Sequence, residues 1–374
     1  MDDLRPAARL PILLLGMLAL AGGVLAGLAR LAWDVPAGAA AAGSHGALMI
    51  SAFFGTVISL ERAVAIGRRW AYLAPAAAGA GGLALLAGAP AGLAQILSVA
   101  AAMVMVAASA QVLRRLVAPF TVVLAVGALC WLAGSLAWLA TGALNAAVPW
   151  WLAFLILTIA GERLELSRFL PTPPAARRFF FAIVGVIVGG ALLPALVPHA
   201  GLRLFAAGLV ALSLWLLRFD IAWHNARRDG LPRFIAICLL AGYVWLALAG
   251  VLGLAGGFDP GQELRDSTLH AISLGFVFSM VFGHAPIIFP AVTRVRIPYH
   301  PAFYLPLLVL HASLLLRVAG GIGGAFAMRR EGGLANACAL LLFIATMLVS
   351  VLRGRKAGNK DRVTAKEVNH GQNQ

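Results

Sequence analysis

Long apolar runs, broken by arginine clusters and by glycine or proline, fill the chain from about Leu10 to Leu352. A helix needs about 20 apolar residues to cross roughly 30 Å of hydrocarbon. Twelve runs of about that length can be marked: 10–33, 44–66, 70–88, 91–113, 118–141, 147–168, 179–198, 202–218, 233–256, 268–290, 301–320 and 332–352. They are continuously apolar and lack the period of two that a lipid-facing barrel strand needs. The pattern predicts an all-α, polytopic integral membrane helix bundle of about 12 transmembrane helices, with residues 1–352 as a single domain. The first run is longer than a signal-peptide core and no cleavage box follows it, so it is expected to be retained. After Leu352 the segment RGRKAGNKDRVTAKEVNHGQNQ has too few apolar residues to offset its ordering entropy, and residues 353–374 are expected to be a disordered cytoplasmic tail.

Composition agrees: 61% of residues are hydrophobic and 11% charged, which no ordinary soluble domain matches, so the lipid bilayer is the expected solvent. The net charge of +15 does not point to nucleic acid, because the cations sit in short gaps between apolar runs. They read as topology signals instead. With the N-terminus inside, about 23 of the 29 Lys and Arg fall on the cytoplasmic side, so both termini are expected there. Cys130, Cys238 and Cys338 lie singly in apolar segments, without disulfide or zinc spacing, and read as packing residues. Glycine-rich runs such as AGAGGLALLAG suit close helix packing, and Pro286, Pro290, Pro298, Pro301 and Pro306 predict kinks around the tenth and eleventh helices.

Polar groups at membrane depth are costly and face the bundle interior or a cavity. His45 opens the second helix and His270 the tenth, so two imidazoles share an outer depth on different helices, where they suit axial ligation of a haem iron or help in holding copper. His284 lies 14 residues after His270, and His311 approaches its depth from the eleventh helix, which makes a second, deeper site geometrically available. Met49 and Met280 each stand four residues from a histidine on one helix face, and imidazole with thioether suits Cu(I). Toward the cytoplasmic ends, Glu61 with Arg62 and Glu162 with Arg163, followed by Glu165, read either as ion pairs pinning helix ends or as a proton or ion route. His199, His224, His300 and His370 fall in loops, interfacial ends or the tail and are left unassigned.

HGALMISAFFGTVISLERA after the first span, GERLELSRF ending the sixth helix and LHAISLGFVFSMVFGH after a long loop resemble the NnrS family of bacterial membrane proteins. The resemblance covers nearly the whole chain. It implies twelve helices in the bacterial inner membrane, haem b and copper as cofactors, and a part in the response to nitric oxide in denitrification or nitrosative stress. It also implies that His45, Arg163 and His270 match the family's second-helix histidine, sixth-helix arginine and tenth-helix histidine. Gly46 stands where the family carries an acidic residue, and its later glycine-histidine element corresponds either to His284 or to His300.

Three functions follow as alternatives. The first is a haem-binding inner-membrane protein, with or without bound copper, of nitric oxide metabolism or defence. The second is a transporter or metallochaperone passing copper or haem to respiratory enzymes, with the two depths of histidine as stations. The third is a quinol-linked oxidoreductase such as a nitric oxide reductase, served by a respiratory-chain partner. A haem-copper oxidase centre is disfavoured, because the chain has neither a His-His dipeptide nor a His-x-His pair on a helix.

Overall fold

The computed structural model describes residues 3–371 apart from Ala37, Phe169, Pro171 and Thr172, with side chains described as far as Gly354. The chain is an all-α membrane helix bundle. In order, the helices are α1 (Pro6–Arg30), α2 (Ala47–Ile66), α3 (Leu73–Leu86), α4 (Ala91–Arg115), α5 (Pro119–Thr141), α6 (Leu144–Ser167) and α7 (Pro174–Ala195). They continue with α8 (Pro198–Phe219), α9 (Leu231–Gly257), α10 (Arg265–Thr293), α11 (Pro301–Ile322) and α12, which begins at Phe326 and whose apolar part closes at Gly354. No strand occurs among the described residues. The tail expected to be disordered instead continues α12 as helix to Gly371; beyond Gly354 its side chains lie outside the described ones, and its last three residues lie outside the described backbone.

Among the described residues 11 helices are long and apolar enough to cross a membrane. The predicted run 70–88 is the exception. Its α3 has 14 residues, about 21 Å at the helical rise, which is short of a hydrocarbon core. Gly67 and Gly88 bound this segment in left-handed conformations, φ +66° and +71°, that a side chain would strain. Within α3, a Cβ on Gly82 would come within 2.8 Å of Ala52 and 3.1 Å of Ala19, so the glycine face lets α1, α2 and α3 approach closely. The predicted starts at 179 and 332 fall inside α7 and α12, because the pairs Arg177/Arg178 and Arg329/Arg330 are carried in helical turns.

The interior belongs to α6 and α10, the most enclosed helices, while α1 and α7 lie on the rim. Around α6 the core is aromatic, with Trp131 stacked on Phe154 at 5.1 Å. Three buried hydroxyls there form a chain, Ser51 with Ser98 at 2.6 Å and Ser98 with Ser135 at 2.8 Å, while the Trp131 indole N–H donates to Ser51. Such pairing removes the cost of burying polar groups. Cys130 and Cys238 are buried as expected and Cys338 is exposed on α12. Pro286 and Pro290 lie inside α10, whereas Pro298 falls in the connection and Pro301 starts α11.

Candidate functional site

Two histidines from distant parts of the sequence meet at the end of the bundle formed by the α1–α2 and α9–α10 connections. His45 follows a 3-10 turn (Ala42–Ser44) and precedes the first half of α2, which is π-helical over Ala47–Phe54. His270 closes the first α-helical turns of α10, directly before a second π-helical stretch, Ala271–Phe278. π-Helical turns are rare and concentrate at functional sites. Both stretches here begin within two residues of a histidine.

The two imidazole centroids are 6.1 Å apart with 24° between the ring planes. His45 Nδ1 lies 2.7 Å from the Gly23 carbonyl and His270 Nδ1 lies 2.8 Å from the Asp266 carbonyl. A carbonyl only accepts, so each Nδ1 carries a proton, and Nε2 is the atom through which a neutral ring would offer its lone pair. Neither Nε2 has a hydrogen-bond partner among the described residues. Burial, reinforced by the His270 imidazole, pulls His45 down to about 4, which keeps it neutral near pH 7.

Asp266 organises the α10 side of the site. Its carboxylate lies 3.3 Å from His270 Nδ1 and accepts from Arg317 Nε and Nη2 at 2.9 and 2.8 Å. Outer partners of this type fix the tautomer and ring orientation of a ligating histidine. On the α1 side, Gly27 leaves room for the His45 ring, since a Cβ there would come within 2.8 Å of Cε1.

A cavity of about 790 Å³ opens at this end and is lined by His45, His270, Gly27 and Arg317. The same four residues border a smaller cavity of about 130 Å³, whose walls include Met49, Phe54, Leu152 and Phe278. Bound small molecules occupy cavities of about 300–1,000 Å³, mostly apolar with a few convergent polar groups. Two axial metal–nitrogen bonds of about 2 Å put imidazole centroids roughly 6 Å apart across one ion. Among the described residues no group of three or more His, Cys, Asp or Glu could hold a metal. The centroid separation alone matches that spacing, and the two rings are stacked rather than end to end, so His45 and His270 are candidate ligands for an ion that brings most of its own ligands, as a porphyrin iron does, or for Cu(I) with the Met49 thioether close by.

The deeper histidines have separate partners. His284 Nδ1 lies 3.0 Å from the Met280 carbonyl, and its Nε2 lies 3.3 Å from Arg163 Nη1. Both ring nitrogens are thus engaged by protein. His311 Nδ1 accepts from the Trp245 indole N–H at 2.9 Å, and its Nε2 is 3.5 Å from Ser279 Oγ. Met280 is buried in the core. The expected pairing of Arg163 with Glu162 or Glu165 is corrected: Arg163 Nε donates to Asp220 at 3.1 Å, both side chains being almost fully buried. Asp220 follows α8 and also accepts from the Ala222 backbone N–H at 2.7 Å. Burial pushes the Asp220 carboxyl up, against the pull of Arg163. Glu61 and Glu162 come near enough for their carboxylates to interact electrostatically, with Arg62 beside both. Neither glutamate is in an ion pair among the described residues.

Sequence reasoning placed His45 and His270 at one depth, and the structure brings them together; it did not single out Asp220, Asp266 and Arg317. A signal was present for each, since Arg317 stands inside a predicted span and the two aspartates border spans. The family model described as a domain of unknown function, DUF8744, matches residues 9–352. No curated protein matches the chain.

Proposed function

The chain belongs to the DUF8744 family, and we propose that it is a haem-binding protein of the bacterial inner membrane, with His45 and His270 as axial ligands. The observation that carries this reading is the pair itself. Two imidazoles 6.1 Å apart, each tied through Nδ1 to a backbone carbonyl, leave both Nε2 atoms without a protein partner beside one cavity. The bound haem would supply one-electron chemistry. The chain's own part is to orient both rings and to enclose one side of the site with Met49, Phe54 and Phe278.

With α3 counted as a twelfth, short crossing, the positive-inside bias supports a cytoplasmic position for both termini, which puts the histidine end at the periplasmic face. The resemblance to the NnrS family supports nitric oxide metabolism or nitrosative-stress defence as the setting. A second reading, Cu(I) carried toward respiratory enzymes, is favoured by Met49, whose sulfur lies against Gly23 beside the His45 anchor.

The absorption spectrum of protein purified in detergent separates the two. A sharp reduced-minus-oxidised haem band near one haem per chain is expected. Colourless protein carrying stoichiometric copper would reject the haem reading in favour of the copper one.

A further inference from the structure

The mouth of the larger cavity is unusually cationic. Its charged lining residues besides the histidines are Arg30, Arg265, Arg317, Arg329, Glu263 and Asp266. In the orientation proposed above, only Arg30, Arg203, Arg265, Arg317, Arg329 and Arg330 of the 29 Lys and Arg lie at the histidine end. Four of those six border this one cavity.

Arg317 is neutralised by its two-point contact with Asp266. The other three arginines have no carboxylate partner among the described residues. Arg30 is exposed and meets only the Ala42 carbonyl, at 3.4 Å. Arg265 is held by the Phe258 carbonyl and by Asn145 Oδ1 at 2.9 Å, with Arg30 near enough to repel it and Asp259, itself bonded to His199, near enough to attract it. Arg329 packs over Phe326, and its Nε is buried without a hydrogen-bond partner. Along the cavity lining, three guanidinium groups outside any ion pair thus stand with the exposed carboxylate of Glu263, and Asp259 offsets Arg265 from outside the lining. Like charges held together without a counterion are unfavourable, and a dianion relieves both the repulsion and the orphaned donor. The planar guanidinium fork matches a carboxylate in two-point geometry, which a lysine would not do.

We propose that Arg30, Arg265 and Arg329 form a dicarboxylate site above the histidine pair. The dianion is either the two propionates of a porphyrin, in which form the proposal rests on the haem reading, or a free dicarboxylate. In both forms access is from the arginine-lined end.

The test uses the full chain in detergent at low ionic strength, because screening weakens such contacts. Haemin, haemin dimethyl ester and succinate are titrated into wild-type protein and into Arg30→Gln/Arg329→Gln. Should the double variant fail to fold, Arg30→Gln replaces it, since that side chain is exposed and makes one long contact. Haemin binding at least tenfold tighter than its ester, with the preference lost in the variant, identifies the porphyrin-borne source. Succinate binding that the variant loses at least tenfold identifies the free source, and does so even if no porphyrin binds and the haem reading fails. Equal affinity for haemin and ester together with no succinate binding overturns the proposal while leaving the haem reading intact. Binding of neither porphyrin nor succinate overturns both.

Discussion

Replacing Arg163 by alanine is expected to lower the stability of the folded bundle by about 3–5 kcal/mol, the usual cost of removing one partner from a buried ion pair. The side chains of Arg163 and Asp220 are 2% and 0% exposed, so the stranded carboxylate cannot turn to water. The same change removes the donor at His284 Nε2. Thermal unfolding in detergent, followed by loss of soluble folded protein, should show a large downward shift. Arg163→Met combined with Asp220→Leu should recover most of it, because an apolar pair of similar bulk carries no buried charge. An unchanged transition for Arg163→Ala would mean that this pair is hydrated.

Asp266→Ala should have an effect of comparable size, about 3–5 kcal/mol, because Arg317 is 6% exposed and loses both of its carboxylate contacts. It should also act on the site, since the carboxylate stands beside the His270 Nδ1–H. Asp266→Asn keeps an acceptor for that N–H but removes the charge. It is therefore expected to retain the haem spectrum with a displaced midpoint potential, whereas Asp266→Ala lowers haem occupancy as well. Unfolding curves and a redox titration of the two variants check this. Identical potentials in wild type and Asp266→Asn would show that Asp266 serves only to neutralise Arg317.

The helices were legible because continuous apolar runs of bilayer length allow few alternatives, and the basic connections set their alternation. Run 70–88 shows the limit of that reading: apolar content marks a span, but a 3-10 turn takes up Arg69–Tyr72 and left-handed Gly88 follows the other end, so the α-helix covers only Leu73–Leu86. His45 and His270 were legible together because both open helices that enter from the same side. His284 was assigned a depth on the assumption of regular α-helix, and the π-helical stretch Ala271–Phe278 changes the turn between it and His270. No local pattern announces that stretch. Arg163 was paired with its sequence neighbours Glu162 and Glu165, yet residues adjacent along a helix point in different directions. The partner that packing brings is Asp220, 57 positions away. Glu61 and Glu162 were marked separately, and only the bundle shows that their charges interact.

The most direct test of the account is the low-temperature haem spectrum of four single variants, His45→Ala, His270→Ala, His284→Ala and His311→Ala, purified in the same detergent. A bis-imidazole iron is six-coordinate and low-spin, so His45→Ala and His270→Ala should each abolish or convert the low-spin signal. Combining them should do no further harm, because both serve one site. His284→Ala and His311→Ala should leave the signal in place, since their ring nitrogens are engaged by Arg163, Met280, Trp245 and Ser279. A full, unshifted low-spin spectrum in His45→Ala and His270→Ala, with loss in His284→Ala, would contradict the assignment and move the ligands deeper into the bundle.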